Sequence, residues 1–261
     1  MEIFLSADIW IALLTLVFLE IVLGIDNIIF ISIAASKLPA AEQKKATNIG
    51  LILAMVMRIL LLFGISWLIS LKEPFWTLHT DFAHAAFSGQ SIILIIGGLF
   101  LLYKSTSEIR EKVEGDGYHD LETKRKTGLS NAIVQITLIN IVFSFDSILT
   151  AVGMTNGMEG ALTLMIIAVI LSVVIMLMFA NPVGKFVQEH PTIQMLGLSF
   201  LILIGFMLIA EGMHLAHADI FGKEVGVIPK GYLYFAISFS LLVEFLNMRI
   251  RKPGKKQATI S

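Results

Sequence analysis

The chain contains no cysteine. That absence removes disulfides, thiolate metal sites, iron–sulfur clusters and cysteine nucleophiles together. Charge is scarce as well. Only 15% of the 261 residues are charged, 56% are hydrophobic, and the mean hydropathy is +0.85. A soluble chain carries about a quarter charged residues, so too little polar surface exists here to cover a soluble globule. No Gly-x-x-x-x-Gly-Lys-Ser/Thr loop is present, so nothing in the sequence holds ATP. No cofactor and no nucleic-acid partner are expected. The first apolar run lacks a basic leader segment and continues through Glu20 and Asp26 toward Ala35, so it reads as a retained span rather than a cleaved signal peptide.

What the chain does have is a series of apolar runs of about twenty residues, the length that crosses about 30 Å of hydrocarbon as a helix. Seven spans are expected, at about 9–36, 47–71, 85–104, 129–155, 159–184, 192–215 and 229–248. A β-barrel would show short alternating segments instead. The fold class is therefore all-α: one polytopic transmembrane domain, with the lipid bilayer as its first partner. The longest polar break runs from Ser105 to Thr127, and the tail after Met248 is short and basic.

Orientation follows from the loop lysines and arginines. With the N-terminus outside, the inner loops and tail hold fifteen, including Lys37, Arg110, Lys124 to Lys126 and Arg249 to Lys256. The outer loops hold Lys72, Lys223 and Lys230, and Arg58 alone lies mid-span. The asymmetry predicts N-outside, C-cytoplasmic.

An internal repeat is visible under this pattern. Aligning Asp26 with Asp146 pairs residues 20–27 (Glu-Ile-Val-Leu-Gly-Ile-Asp-Asn) with 140–147 (Asn-Ile-Val-Phe-Ser-Phe-Asp-Ser). A fainter echo pairs 98–104 (Gly-Leu-Phe-Leu-Leu-Tyr-Lys) with 205–211 (Gly-Phe-Met-Leu-Ile-Ala-Glu). Each unit has three spans, an odd number, so the second must enter the membrane from the opposite side. The expected architecture is a 3+3 inverted repeat plus one C-terminal helix: repeat one about 7–104, a cytoplasmic loop about 105–128, repeat two about 129–217, a final helix about 229–248 and a basic tail 249–261. Transporters built this way bind their cargo near the midplane between the repeats.

Glu20 and Asp26 fall near the middle of span one, and Asp146 near the middle of span four. An ionised carboxylate at that depth costs at least a few kcal/mol and persists where it faces protein, water or a cation. At 100° per residue Glu20 and Asn27 share a face and Asp26 points about 100° away. Thr137, Asn140, Ser144 and Ser147 form the matching stripe on span four. Either Asp26 and Asp146 face each other across the repeat axis, or the helices are interrupted near Gly24 and Ser144 and free carbonyl oxygens as ligands.

The candidate metal ligands are Glu20, Asp26, Asn27, Asn140, Asp146 and Ser147. Their oxygen atoms suit Mn²⁺, Mg²⁺ or Ca²⁺ over copper or zinc. Arg58, Lys104 and Glu211 are additional candidates: Arg58 either counters the carboxylates or reaches for an interface, and Glu211 matches Lys104 in the fainter repeat. The twelve methionines are scattered and read as packing. His79, His84, His214 and His217, with Asp81 and Asp219, read as interfacial, with an exit vestibule as the weaker alternative.

The motif Glu20 to Asn27, mid-span Arg58, Gly97-Gly98-Leu-Phe-Leu-Leu-Tyr-Lys104 and Phe143-Ser-Phe-Asp-Ser147 together resemble the TerC family of integral membrane proteins, over about Ala7 to Met248. The resemblance implies a bacterial inner-membrane exporter of Mn²⁺ or a similar ion, a link to tellurium resistance, and kinship with LysE-type exporters. The cytoplasmic CBS and CorC-like domains of some relatives are not expected. Export of amino acids or other small solutes and a structural or assembly role are the competing readings, and a homo-oligomer is left open. No enzyme is expected. Intramembrane aspartyl proteases carry Gly-x-Gly-Asp, Tyr-Asp and Pro-Ala-Leu motifs, which neither Asp26 nor Asp146 matches, and the last span (Tyr232 to Met248) has no lysine for a retinal Schiff base.

Overall fold

The computed structural model describes residues 7–64, 69–80, 83–114, 128–155, 157–158 and 160–250, without the side chains of Ala7, Leu23, Ile25, Asp26 and Asn27. Seven long helices lie among them. They are α1 (Ala7–Ser36), α2 (Ala40–Phe63), α3 (Gly89–Glu114), α4 (Leu129–Met154), α5 (Ala161–Glu189), α6 (Pro191–Leu215) and α7 (Lys230–Ile250). The last six are each long and apolar enough to cross a membrane. The 30 residues of α1 rise about 45 Å, more than a hydrocarbon core requires. The chain is thus a multi-pass α-helical membrane protein.

The helices interlock in pairs. The most extensive contacts are α3 on α6, α1 on α5 and α2 on α4. Small residues set the closest approach, as expected where lipid offers no hydrophobic drive for helices to associate. Gly98 of α3 and Gly205 of α6 face each other. A Cβ on Gly98 would lie 2.5 Å from the Gly205 carbonyl oxygen, and one on Gly205 would lie 2.9 Å from that of Gly98. Gly24 of α1 leaves room for the Met176 sulfur of α5, where a Cβ would come within 2.4 Å. By contrast α7 is peripheral: Leu233 is its one buried residue, and its main neighbour is α6.

The helix bounds differ from the sequence expectation at several ends. The second helix stops at Phe63 rather than 71, the third starts at Gly89 rather than 85, and the fifth runs on to Glu189 rather than 184. Two extensions are the largest gains. The second helix begins at Ala40 rather than at 47, and the third runs on to Glu114 rather than stopping at Lys104. Both extensions are polar. Ion pairs four residues apart, Lys104–Glu108 at 2.7 Å and Arg110–Glu114 at 2.8 Å, support the helix beyond its apolar stretch.

A four-stranded antiparallel sheet was not expected: β1 (Pro74–Thr80), β2 (Ala83–Ser88), β3 (Asp219–Ile220) and β4 (Lys223–Glu224), in that order. It takes residues 85–88 out of the predicted third span, because β1–β2 joins α2 to α3 while β3–β4 joins α6 to α7. The sheet therefore covers one end of the bundle. Phe221 and Gly222, both at positive φ (54° and 75°), make the two-residue turn between β3 and β4. A cluster of Ala85, Ala216 and Ala218 with Leu78, Phe87, Met213 and Val225 fixes the sheet to α6.

Candidate functional site

Asn140, Ser144 and Ser147 of the polar stripe on α4 are buried, Thr137 of the stripe is half-buried, and Asp146 at its edge is 8% exposed. Two ion-paired centres are built along this stripe.

The first lies close to mid-helix. Glu20 falls about 2 Å from the centre of α1 and Ser144 about 4 Å from that of α4, at 1.5 Å per residue. Arg58 reaches them from α2. Its Nη1 donates to the Glu20 carboxylate, and its Nε donates to Ser144 Oγ at 2.9 Å. Ser144 Oγ in turn donates to the backbone carbonyl of Asn140. Glu20 and Arg58 are 3% and 2% exposed. Neither charge could stay at such a place alone, because removing an ion from water costs several kcal/mol after relaxation. The planar guanidinium suits the task, since its fork of donors serves a carboxylate and a hydroxyl at once. A cavity of about 10 Å³, bounded by Leu51, Arg58, Asn140 and Met176 among others, adjoins it and has room for about one water.

The second centre surrounds Asp146, about 7 Å from the middle of α4 toward the sheet end. Lys230, the first residue of α7, places Nζ 2.8 Å from Asp146 Oδ1 and 2.9 Å from Oδ2, and donates to Thr150 Oγ1 at 2.9 Å. Glu211 of α6 lies beside both, interacting with the Asp146 carboxylate and the Lys230 ammonium. The ammonium's three donors are thus all taken up by oxygens of α4, with Glu211 of α6 alongside.

The remaining candidates are distributed as follows. Asn140 Nδ2 donates to the Ile136 carbonyl at 2.8 Å, and Ser147 Oγ donates to the Ser144 carbonyl at 3.2 Å. The side chains of Asp26 and Asn27 lie outside the described residues, as do Asp81, the loop after Glu114 and the tail after Ile250. Lys104 is brought to Glu108, not to the carboxylates of α1 and α4, and Lys37 joins the same group through Glu108 at 2.9 Å and Glu111 at 2.7 Å. Burial opposes the charge of Lys37, but the hydrogen bonds and attraction of Glu111 and Glu108 outweigh it and raise its pKa above the ordinary lysine value. Both α1 and α4 run unbroken through Gly24 and Ser144, so no carbonyl ligands are freed there. Among the described residues no three His, Asp or Glu side chains converge closely enough to hold a metal ion.

The histidines belong to the sheet end. His79 and His84 are directly opposite across β1 and β2 with ring nitrogens 2.9 Å apart, and His84 is opposite Asp219. His214 Nδ1 lies 3.1 Å from the Val225 carbonyl, and His217 takes a positive φ of 47°.

Lys230 and Thr150 are the site residues that sequence reasoning missed. By hydropathy alone Lys230 reads as one of the outer-loop lysines. The signal was its position at the head of the final apolar run, just after Pro229, where a helix can begin and carry its first side chain inward.

Carboxylates buried among apolar helices and neutralised by long cationic side chains from other helices mark a polytopic membrane protein with ionic chemistry in its interior. Family comparison makes this specific. Residues 5–259 match the model of the integral membrane protein TerC family, and the chain belongs to that family. It is 44% identical over 243 residues to a UPF0053 protein of Haemophilus influenzae, covering 93% of this chain and 94% of that one. It is 45% identical over 239 residues to the UPF0053 inner membrane protein YgdQ of Escherichia coli K12, covering 92% of each. It is also 43% identical over 252 residues to the UPF0053 inner membrane protein YoaE of the same strain, but spans only 45% of that longer relative. No solved structure matches the chain.

Proposed function

We propose that this chain is a multi-pass protein of a bacterial inner membrane that exports a divalent cation, Mn²⁺ above all, through carboxylate and amide oxygens at the interface of two inverted three-helix repeats. The observation that carries the reading is the pair of buried carboxylates, Glu20 and Asp146, on α1 and α4, each neutralised by a cationic side chain from another helix. An apolar bundle keeps such groups at a cost, and cation binding gives them a use. The oxygen donors favour a hard or borderline ion.

The repeat reading draws support from packing. Exchange of α1–α3 with α4–α6 carries the α1/α5 contact onto α4/α2 and the α3/α6 contact onto itself. At that last crossing the two glycines that the fainter echo pairs, Gly98 and Gly205, meet. The basic-residue asymmetry puts the sheet end outside. An inward-negative potential opposes export of a cation by about 2.3 kcal/mol per charge per 100 mV, so an energy source is needed. Carboxylates that hold either metal or protons would supply it by proton antiport.

One observation favours a second reading, export of an amino acid or other organic amine. The Lys230 ammonium is held by Asp146 and Thr150 beside Glu211, and a recess that accepts one primary ammonium fits another.

The test is transport by the full chain in proteoliposomes, with Mn²⁺, Mg²⁺, Ca²⁺, Zn²⁺ and basic amino acids offered in turn and a pH-sensitive dye inside. Mn²⁺ flux with opposing proton movement supports the proposal. Flux of amino acids without metal flux replaces it with the second reading.

A further inference from the structure

We infer that Lys230 is a tethered competitor for the transported cation: its ammonium occupies the Asp146–Glu211 site when no metal is bound, and α7 withdraws it when metal enters. The inference rests on the export reading and assigns a role to a residue that neither the sequence motif nor the repeat contains.

Three features carry it. The contact is complete: both Asp146 oxygens and Thr150 Oγ1 lie 2.8–2.9 Å from Nζ, so all three donors of the ammonium are engaged where a cation's oxygen ligands would be. The charges are matched unequally. Asp146 and Glu211 together offer two negative charges when ionised. One ammonium compensates half of that and one divalent cation compensates all of it, which favours exchange over co-occupancy. The lysine is also carried by the element best able to move. Six helices interlock, whereas α7 has the single buried residue Leu233 and touches mainly α6. Lys230 is its first residue, so a small tilt or slide of α7 along α6 moves the ammonium away from α4 without repacking α4.

Arg58 does not play the same part. It sits mid-membrane on α2, nearly fully buried and bonded to two helices at once, and its withdrawal would break the core. Lys230 retains one quarter of its side-chain exposure and lies at the sheet end. The asymmetry makes Arg58 a fixed countercharge and Lys230 an exchangeable one.

The consequence is quantitative. If the lysine occupies the site nine-tenths of the time, apparent metal affinity falls about tenfold below its intrinsic value. Replacing Lys230 by an uncharged residue of similar length should therefore tighten metal binding.

The experiment measures Mn²⁺ binding to the purified full chain by the loss of the free-Mn²⁺ electron paramagnetic resonance signal. Wild type, Lys230→Met, Asp146→Asn and the double variant are compared. The expected result is about tenfold tighter binding by Lys230→Met, and binding abolished in both variants that carry Asp146→Asn. Because the chain has no cysteine, Lys230→Cys offers a second measurement on a unique thiol. Modification with aminoethyl methanethiosulfonate rebuilds a tethered ammonium and should weaken Mn²⁺ binding again, whereas the neutral methyl reagent should not. Unchanged or weaker binding by Lys230→Met, or no difference between the two reagents, overturns the competition while leaving Asp146-dependent binding and the export reading intact. No Asp146-dependent Mn²⁺ binding in wild type or in Lys230→Met overturns both.

Discussion

Arg58 is the residue whose removal should tell most about how the bundle tolerates charge. Arg58→Met keeps much of the side-chain volume but strands Glu20, which is 3% exposed. Breaking a buried ion pair by deleting one partner costs about 3–5 kcal/mol. A loss of about that size is therefore expected. Glu20→Gln leaves the guanidinium stranded instead and should cost a similar amount. The double variant Glu20→Gln/Arg58→Met leaves no buried charge at this centre and should lie within about 1–2 kcal/mol of wild type, since uncharged replacements of buried pairs are often near neutral. The assay is a double-mutant cycle by SDS titration in mixed micelles, followed by far-ultraviolet circular dichroism. A double variant that loses the sum of the two single losses would refute the reasoning, because the pair would then contribute nothing as a pair.

Three further outcomes are expected. Reporter fusions after Lys126 and at the C-terminus should read cytoplasmic and one near Lys223 external; a cytoplasmic reading at Lys223 would contradict the basic-residue argument. Gly98→Leu should destabilise the bundle by more than about 2 kcal/mol in the same micelle assay, because a Cβ would already lie 2.5 Å from the Gly205 carbonyl oxygen; wild-type stability would show that the α3–α6 crossing is looser than it stands here. Asp26→Asn and Asp146→Asn should each abolish Mn²⁺ export in proteoliposomes while inserting normally, since each keeps side-chain shape but removes charge that offsets cation dehydration; export at the wild-type rate by both would remove the carboxylates from the transport site.

The spans were legible because length and hydropathy are set by the membrane itself. A run of apolar residues such as 161–182 has one use at that length, and α5 begins within two residues of the expected start. Helix ends outside the hydrocarbon obey a different rule. Residues 105–114 look like loop on a hydropathy scale, yet their i,i+4 ion pairs and helix-compatible side chains continue α3. The sheet was illegible for a related reason. Its strands β3 and β4 are two residues each, and β3 derives its pairing from β2, 135 positions away at the His84–Asp219 register pair, which no local pattern encodes.

At the two ion-paired centres, Glu20, Asp146 and Arg58 were legible in the sequence as charges inside apolar runs and Lys230 was not. Glu20, Asp26 and Asp146 are conspicuous because a carboxylate inside an apolar run is expensive wherever it points. Arg58 is conspicuous for the same reason, and its link to Glu20 and Ser144 is the simplest way to remove that cost. Lys230 carries no such mark. It precedes its apolar run, where a lysine can reach water at no cost, and only the tertiary arrangement turns it toward Asp146 on a helix 84 residues earlier. A lysine at that place, one quarter exposed, has both the carboxylate and the aqueous boundary within the length of its side chain. A mid-span arginine such as Arg58 has no such second surroundings, and this difference is what makes Lys230, the residue least visible in the sequence, the one on which the proposed competition rests.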